Sequence, residues 1–400
     1  MGDRWLALAL IFITRVSMGV QFQSMASVGP LVVADLRLSY AELGTLVGLY
    51  LLPGVALALP GGLLARRVGE RRTVVAGLAV MALGGLLTAW SATFLGAAVG
   101  RALSGGAAVL MNMAIIKLTA DWFTEREMAT AMAVMLTAWP VGVGAAVTTL
   151  GAVATATSWR TAIIAASMTA VLGMILMTAV FRDPPVRTPP GVAPRLTGRD
   201  LGLATTSGLA WGTFNAAIVV VVAFAPSMLH ARGMSLGRAG LVAGVAMWIS
   251  IVSVPVGGVL SDRIGRSNLP IIAGCAAATA VLMAVPAMTA AWIGLLLLGV
   301  VAGAVPGPLT SLLPRALPPE RLAAGLGISY TVFYAVMAAT QPAAGLARDL
   351  TGDPAAPVHF AAAAMAATLL ALAAFRGIEW RGGTTSPAPT DESATPLTRP

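Results

Sequence analysis

The sequence has few of the side chains on which most soluble proteins depend. Charged residues make up only 10% of its 400 residues, against roughly 25% in an average soluble domain. It has two histidines, His230 and His359, and one cysteine, Cys275. A lone cysteine excludes a disulfide framework, and no cluster of histidine, cysteine and carboxylate side chains forms a metal-binding or nucleophile motif. The sequence therefore predicts no cofactor, no metal site and no enzyme activity.

Charge is scarce because most of the chain is apolar. Hydrophobic residues make up 58% of it, in runs long enough to cross a bilayer. The net charge of +9 does not indicate a nucleic-acid partner, because with the N terminus inside most lysines and arginines fall in predicted cytoplasmic segments. The first apolar run, from Trp5, is too long for a cleavable signal peptide. The sequence predicts a multi-pass protein surrounded by the lipid bilayer.

Two glycine-rich turns share one pattern. Residues 61–71 read GGLLARRVGER and residues 257–266 read GGVLSDRIGR, and each turn lies between two hydrophobic runs. A shift of 196 residues superimposes the turns and the runs before them. The matched pairs are Ser39 and Ser235, Gly44 and Gly240, Gly48 and Gly244, Gly62 and Gly258, Arg67 and Arg263, and Gly69 and Gly265. Because a charged position matches as well as the glycines, the repeat indicates two duplicated halves.

The later turn, Gly-x-x-x-Asp-Arg-x-Gly-Arg from Gly258 to Arg266, resembles the signature loop of the major facilitator superfamily. The resemblance implies an all-α membrane protein with twelve transmembrane helices in two pseudosymmetric six-helix bundles, which move around a central site. We expect bundles at residues 1–181 and 201–375, a proline-rich cytoplasmic linker at 182–200 and a disordered cytoplasmic tail at 376–400. It also implies a monomer in the bacterial inner membrane, with both termini in the cytoplasm.

In this family the two loops contribute to the cytoplasmic gate. The resemblance assigns gating roles to Gly62, Arg67, Gly69, Gly258, Asp262, Arg263, Gly265 and Arg266. Arg66 is a departure, since it occupies the place of the signature aspartate in the first loop. We therefore expect an asymmetric gate held mainly by Asp262, whose carboxylate would contact the helix start near Thr124.

Two ionisable residues fall inside the predicted membrane interior, Arg15 and Arg101, whereas every Asp and Glu lies in a loop or at a helix end. A charge in the bilayer interior costs at least about 3 kcal/mol, so each arginine needs a reason. One interpretation is that both guanidinium groups face a central cavity and bind an anion through paired hydrogen bonds. The other is structural, with each group bonding backbone carbonyls and bracing helix packing.

Polar and aromatic side chains share helix faces with these arginines or form stripes on other helices. Asn112, eleven residues after Arg101, points within about 20° of the same direction at 100° per residue. In the family, the first, fourth, seventh and tenth helices line the cavity. The predicted substrate-binding residues, beside the two arginines, are Gln23, Asn112, Trp211, Asn215, Tyr330 and Tyr334.

The two arginines are similar to those of the organic-anion branch, the anion:cation symporters, and the sequence texture resembles the cyanate-permease-like group. The carboxylates of the symporters are missing, because Thr14 and Val16 flank Arg15 and Ala108 lies seven residues after Arg101. We predict a secondary transporter of a small anion or organic carboxylate. The alternatives are an efflux transporter for neutral or cationic drugs and a membrane sensor that transports nothing.

Overall fold

The computed structural model describes residues 2–58, 60–61, 67–123, 125–183, 196–264 and 268–381. Every regular element in these ranges is helical. The helices of the first half are α1 (Gly2–Ser27), α2 (Gly29–Leu36), α3 (Tyr40–Gly48), α4 (Pro53–Leu57), α5 (Glu70–Trp90), α6 (Phe94–Trp122), α7 (Glu125–Ala156) and α8 (Trp159–Ala179). Those of the second half are α9 (Gly198–Ala231), α10 (Leu236–Ile264), α11 (Asn268–Ala284), α12 (Ala291–Ala302), α13 (Pro306–Thr310), α14 (Leu312–Ala316), α15 (Pro319–Thr351) and α16 (Ala356–Arg381), with a 3-10 turn at Val285–Ala287.

Within the described ranges, eleven helices are long and apolar enough to cross a membrane, counting residues 40–57 as one, and α12 is a shorter apolar helix. Together they supply the twelve predicted segments. The tenth differs from the expected single helix, because it is broken into α12, α13 and α14. Pro306 and Pro308 lie at this break, where proline removes a backbone donor from the helix ladder.

The helices form two bundles. In the first half α5 packs against α6 and α8, and α1 packs against α7; in the second, α9 packs against α15 and α16. Residues 198–200, which the sequence placed in the linker, belong to α9, because Thr197 and Asp200 cap each other and start the helix at Gly198. Residues 184–195 lie outside the described ranges.

Residues 376–381, which the sequence placed in the disordered tail, are helical. Helix α16 continues past residue 375 to Arg381, since Arg376 bonds Asn268 of α11 and pairs with Glu379 one turn on. Residues 382–400 lie outside the described ranges.

The two bundles meet along two seams at one end of the molecule. In the α3/α15 seam, a Cβ on Gly44 would lie 2.2 Å from the Gln341 carbonyl oxygen. In the α7/α10 seam, a Cβ on Gly240 would lie 2.1 Å from the Val147 carbonyl oxygen. Only glycine permits backbones to approach this closely. Gly44 and Gly240, which are matched in the sequence repeat, are thus crossing points of the two halves.

We call this end of the molecule the closed end. It lies opposite the end that carries the first residues of α1 and the last residues of α16.

Two prolines of the second half leave backbone carbonyl groups without a helical partner, and these carbonyl groups face the first half. Pro226 in α9 and Pro342 in α15 lack an N–H group, so the carbonyls four residues earlier lose their helical partners. One of them, Val222, accepts a hydrogen bond of 3.1 Å from Gln23 Nε2 of α1. The other, Ala338, faces Gly48 of α3, where a Cβ would lie 2.4 Å from its oxygen. The prolines therefore create contacts between the bundles.

Candidate functional site

Arg15 lies in the middle of α1, and its side chain is held from one side only. Its Nη1 group donates a hydrogen bond to Oδ1 of Asn112 in α6. The residue is 8% exposed, and its Nε group is buried without an acceptor. Since Asn112 is neutral, this hydrogen bond does not balance the guanidinium charge. A buried cation with an unused donor is equipped to bind an anion.

The second half supplies the facing side of this site. The phenol groups of Tyr330 and Tyr334 in α15 lie close enough to Arg15 to interact with its charge. Tyr334 is fixed by packing on α4, where a Cβ on Gly54 would lie 2.3 Å from the ring. Both bundles therefore contribute to one site near the middle of the molecule, as the movement of two halves around a substrate requires.

An aromatic wall extends from these tyrosines to α9. Phe333 packs edge-on against Tyr334, at 5.2 Å between ring centroids, and stacks with Trp211 at 6.3 Å. Trp211 also stacks with Phe214 at 5.9 Å. Asn215 donates a hydrogen bond of 2.8 Å to the Trp211 carbonyl of its own helix. Four of the predicted residues, Trp211, Asn215, Tyr330 and Tyr334, thus belong to one surface of the second half.

Arg101 does not join this site. Its Nε, Nη1 and Nη2 groups donate to the carbonyl oxygens of Leu46, Gln21 and Phe22 at 3.0, 2.7 and 2.9 Å. The residue is 2% exposed, and its guanidinium lies 4.8 Å from the centre of the Tyr50 ring. All three types of nitrogen are engaged, so this geometry favours the structural interpretation of Arg101 and connects α6 to α1 and α3.

The other predicted residues lie away from Arg15 or outside the described part of the chain. Gln23 bonds Val222 between the bundles at the closed end. Arg67 and Arg263 are exposed, and Gly69 has a φ of 95° at the start of α5, a conformation that favours glycine. A Cβ on Gly258 would meet open space.

The remaining gating predictions fall on undescribed positions. Gly62, Gly265 and Arg266, with Arg66 and Thr124, lie outside the described residues, as does the side chain of Asp262. The asymmetric cytoplasmic gate therefore stays a prediction.

Two bundles of membrane-spanning helices around a shared central site define a membrane transporter of the alternating-access type. The model of the Major Facilitator Superfamily matches residues 10–342, and the chain belongs to this superfamily. It is accordingly a multi-pass membrane protein and a secondary transporter of small molecules, not an enzyme.

The match to an individual relative covers a short segment. The chain is 37% identical over 95 residues to the inner membrane transport protein YajR of Escherichia coli strain K12. The aligned segment covers 24% of this chain and 20% of that protein, so it spans about a fifth of the relative's length.

Solved structures share the fold at low sequence identity. A bacterial homologue of the human lysosomal transporter Spinster, in an inward-facing and occupied conformation, has a TM-score of 0.72 at 14% identity. The inward-facing, unoccupied structure has a TM-score of 0.67 at 16% identity. Each similarity covers 95% of this chain and 97% of the other.

Proposed function

We propose that this protein transports a small organic anion, bound in the central site by Arg15. The observation that carries the proposal is the state of that guanidinium, which is buried, bonded to a neutral amide and left with an unused Nε donor. A carboxylate would supply both the missing charge and the missing acceptor in one bidentate contact.

The surrounding side chains have separate roles in this proposal. Asn112 fixes the guanidinium and leaves its other donors free. Tyr330 and Tyr334 offer hydroxyl donors from the opposite bundle, so a bound anion connects the two halves. Trp211 and Phe333 supply an apolar surface for the body of the substrate, with Asn215 bordering it. Arg101 and Gln23 act in helix bracing and bundle contact instead of binding.

The proposed orientation places both termini on the cytoplasmic side of the inner membrane. The distribution of lysines and arginines supports it, because the predicted loops on the side of the termini carry most of them. In this orientation the closed end faces the periplasm, and the substrate approaches Arg15 from the cytoplasm in the conformation described. The cyanate-permease-like branch and the monomeric state stay predictions based on sequence resemblance.

A ligand panel tests the proposed substrate class. The melting temperature of the purified protein would be measured with acetate, succinate, benzoate, tetraphenylphosphonium and neutral aromatic compounds. A ligand at about 100 times its dissociation constant stabilises the folded state by about 2.7 kcal/mol. We expect a carboxylate to raise the melting temperature of wild type and to have no effect on Arg15→Gln.

The aromatic wall favours a second candidate, the efflux of flat neutral or cationic compounds. Stacked rings such as Trp211 and Phe333 suit such ligands, whereas the charge of Arg15 repels cations. Stabilisation by tetraphenylphosphonium alone, or a carboxylate response that survives Arg15→Gln, would reject the anion proposal.

A further inference from the structure

We propose that the α3/α15 seam is the regulated outer gate of the transporter, held shut by Asp349 and driven open by Gln341. This proposal concerns the balance between two conformations and requires no particular substrate. It is therefore independent of the function proposed for Arg15.

Asp349 holds the seam shut by capping a helix of the other bundle. Its Oδ1 and Oδ2 atoms accept hydrogen bonds from the backbone N–H groups of Tyr40 and Ala41 at 2.9 and 2.7 Å. These are the first two residues of α3, whose N–H groups have no partner inside the helix. A carboxylate is favoured there because it meets the positive end of the helix dipole. Opening the seam breaks both charge-assisted bonds.

The side chains around Asp349 fix it in place. Arg348, the preceding residue, donates to the Ser227 hydroxyl of α9, and its guanidinium lies 3.5 Å from the centre of the Tyr40 ring. Gly345, one turn earlier in α15, lies so close to α3 that a Cβ would fall 1.9 Å from the Tyr40 carbonyl oxygen. The contact is therefore specific to the closed arrangement of the bundles.

Gln341 opposes this closure. It lies two turns before Asp349 on α15, opposite Gly44, and is completely buried. Both its Oε1 and its Nε2 atoms are buried without a hydrogen-bond partner. A buried, unpaired amide destabilises the conformation that contains it. When the seam opens, water reaches the amide and the penalty disappears, so Gln341 favours the open state.

The α7/α10 seam carries no counterpart of these groups. Under the shift of 196 residues, Gln341, Arg348 and Asp349 fall on Ala145, Ala152 and Val153. The packing there is apolar: the Ala152 Cβ lies 3.1 Å from a Cβ on Gly237, and the Trp248 ring lies 3.2 Å from a Cβ on Gly144. Among the residues that the structure describes, that seam can part without breaking a charge-assisted bond, so control resides in the α3/α15 seam.

The test places substitutions in the α3/α15 seam and measures the accessibility of a cysteine in the α7/α10 seam. Val147 is 1% exposed in the α7/α10 seam, so the thiol of a Val147→Cys variant reacts with a maleimide only when the bundles separate. The native Cys275 is fully buried in the second half, and its own labelling, measured without the reporter, gives the rate due to unfolding. Labelling is measured in proteoliposomes without added ligand.

Two substitutions should shift the labelling rate in opposite directions. Asp349→Asn should increase the rate at the reporter about tenfold, because the two charge-assisted bonds are lost. Gln341→Met should decrease it about tenfold, because an apolar side chain of similar length removes the unpaired amide. Unchanged labelling in Asp349→Asn, or faster labelling in Gln341→Met, would overturn the proposal.

Matched controls separate the gate from general effects of charge. Glu42→Gln removes an acid from the same end of α3, but Glu42 bonds Ser39 within its own bundle. Asp353→Asn removes the charge of a side chain that accepts a hydrogen bond from the Ala355 N–H group within the second half. Both should label like the parent protein. If Asp349→Asn labels Cys275 as well, it has unfolded, and the Gln341→Met result then decides the proposal alone.

Discussion

Asn112→Asp should weaken anion binding by about 100-fold and leave the protein folded. The new carboxylate would lie against the Arg15 Nη1 group, because that group already donates a hydrogen bond to Asn112 Oδ1. The buried pair would then be neutral, and an entering anion would meet a negative group beside its binding partner. A 100-fold loss corresponds to about 2.7 kcal/mol. The measurement is the dissociation constant of the carboxylate that stabilises wild type, by calorimetry.

Asn112→Leu is the matched control, because it removes the hydrogen bond and keeps the positive charge of the site. We expect a loss of affinity of no more than about tenfold, from the freedom that Arg15 gains. The melting temperature without ligand should rise in Asn112→Asp, since the buried guanidinium acquires a counter-charge. Wild-type affinity in Asn112→Asp would show that Arg15 does not bind the anion.

Arg101→Gln should have the largest effect on stability. The substitution removes three charge-assisted hydrogen bonds, to Leu46, Gln21 and Phe22, and the contact with the Tyr50 ring. Bonds to charged groups contribute about 1.5–3 kcal/mol each. Because the Gln21 and Phe22 carbonyls lie inside α1 and keep their backbone partners there, we expect a net loss of about 3–5 kcal/mol. Thermal unfolding in detergent, followed by size-exclusion chromatography, measures it.

The same substitution at Arg15 provides the comparison. Arg15→Gln removes one hydrogen bond and a buried, unbalanced charge, so its melting temperature should equal or exceed that of wild type. The melting temperature of Arg101→Lys should lie between those of wild type and Arg101→Gln, because an ammonium group cannot reproduce the hydrogen-bond geometry of the planar guanidinium group. Equal destabilisation by Arg15→Gln and Arg101→Gln would contradict the separation of a binding arginine from a bracing one.

The fold could be predicted because its signals are periodic and local. Apolar runs, the repeated loop and the matched glycines define twelve segments in two halves before any contact is known. The prolines that start α4 and α13, Pro53 and Pro306, are visible in the sequence, although the sequence does not show whether a proline kinks a helix or divides it.

The two arginines show where prediction from helical phase ends. Phase gives direction around a helix axis, and it placed Asn112 close to the direction of Arg101. The separation of eleven positions corresponds to about 16 Å along the axis, so the two side chains meet different neighbours. Asn112 contacts Arg15, whereas Arg101 contacts the carbonyl groups of α1 and α3. The position of each neighbouring helix along the bundle axis and its rotation decide which groups an arginine contacts. Neither can be read from the sequence of a single helix.

The contacts between the bundles could not be predicted from the sequence. Asp349 and Tyr40 are separated by 309 positions, and Gln23 and Val222 by 199. A signal existed in the repeat, since Gly44 and Gly240 mark the crossings. The repeat does not identify the partner of each glycine, because a glycine indicates a close approach without indicating which helix approaches.

The pairing of the seams has a consequence for the origin of the chain. Under the shift of 196 residues α3 corresponds to α10 and α7 corresponds to α15, so each seam joins the same two helices taken from opposite halves. That is the arrangement of a two-fold symmetric homodimer, in which one patch on each subunit meets its counterpart on the other. The ancestral half-length protein would have closed through two identical seams. In a single fused chain one seam can change without the other, and the two seams differ where Asp349, Arg348 and Gln341 match Val153, Ala152 and Ala145.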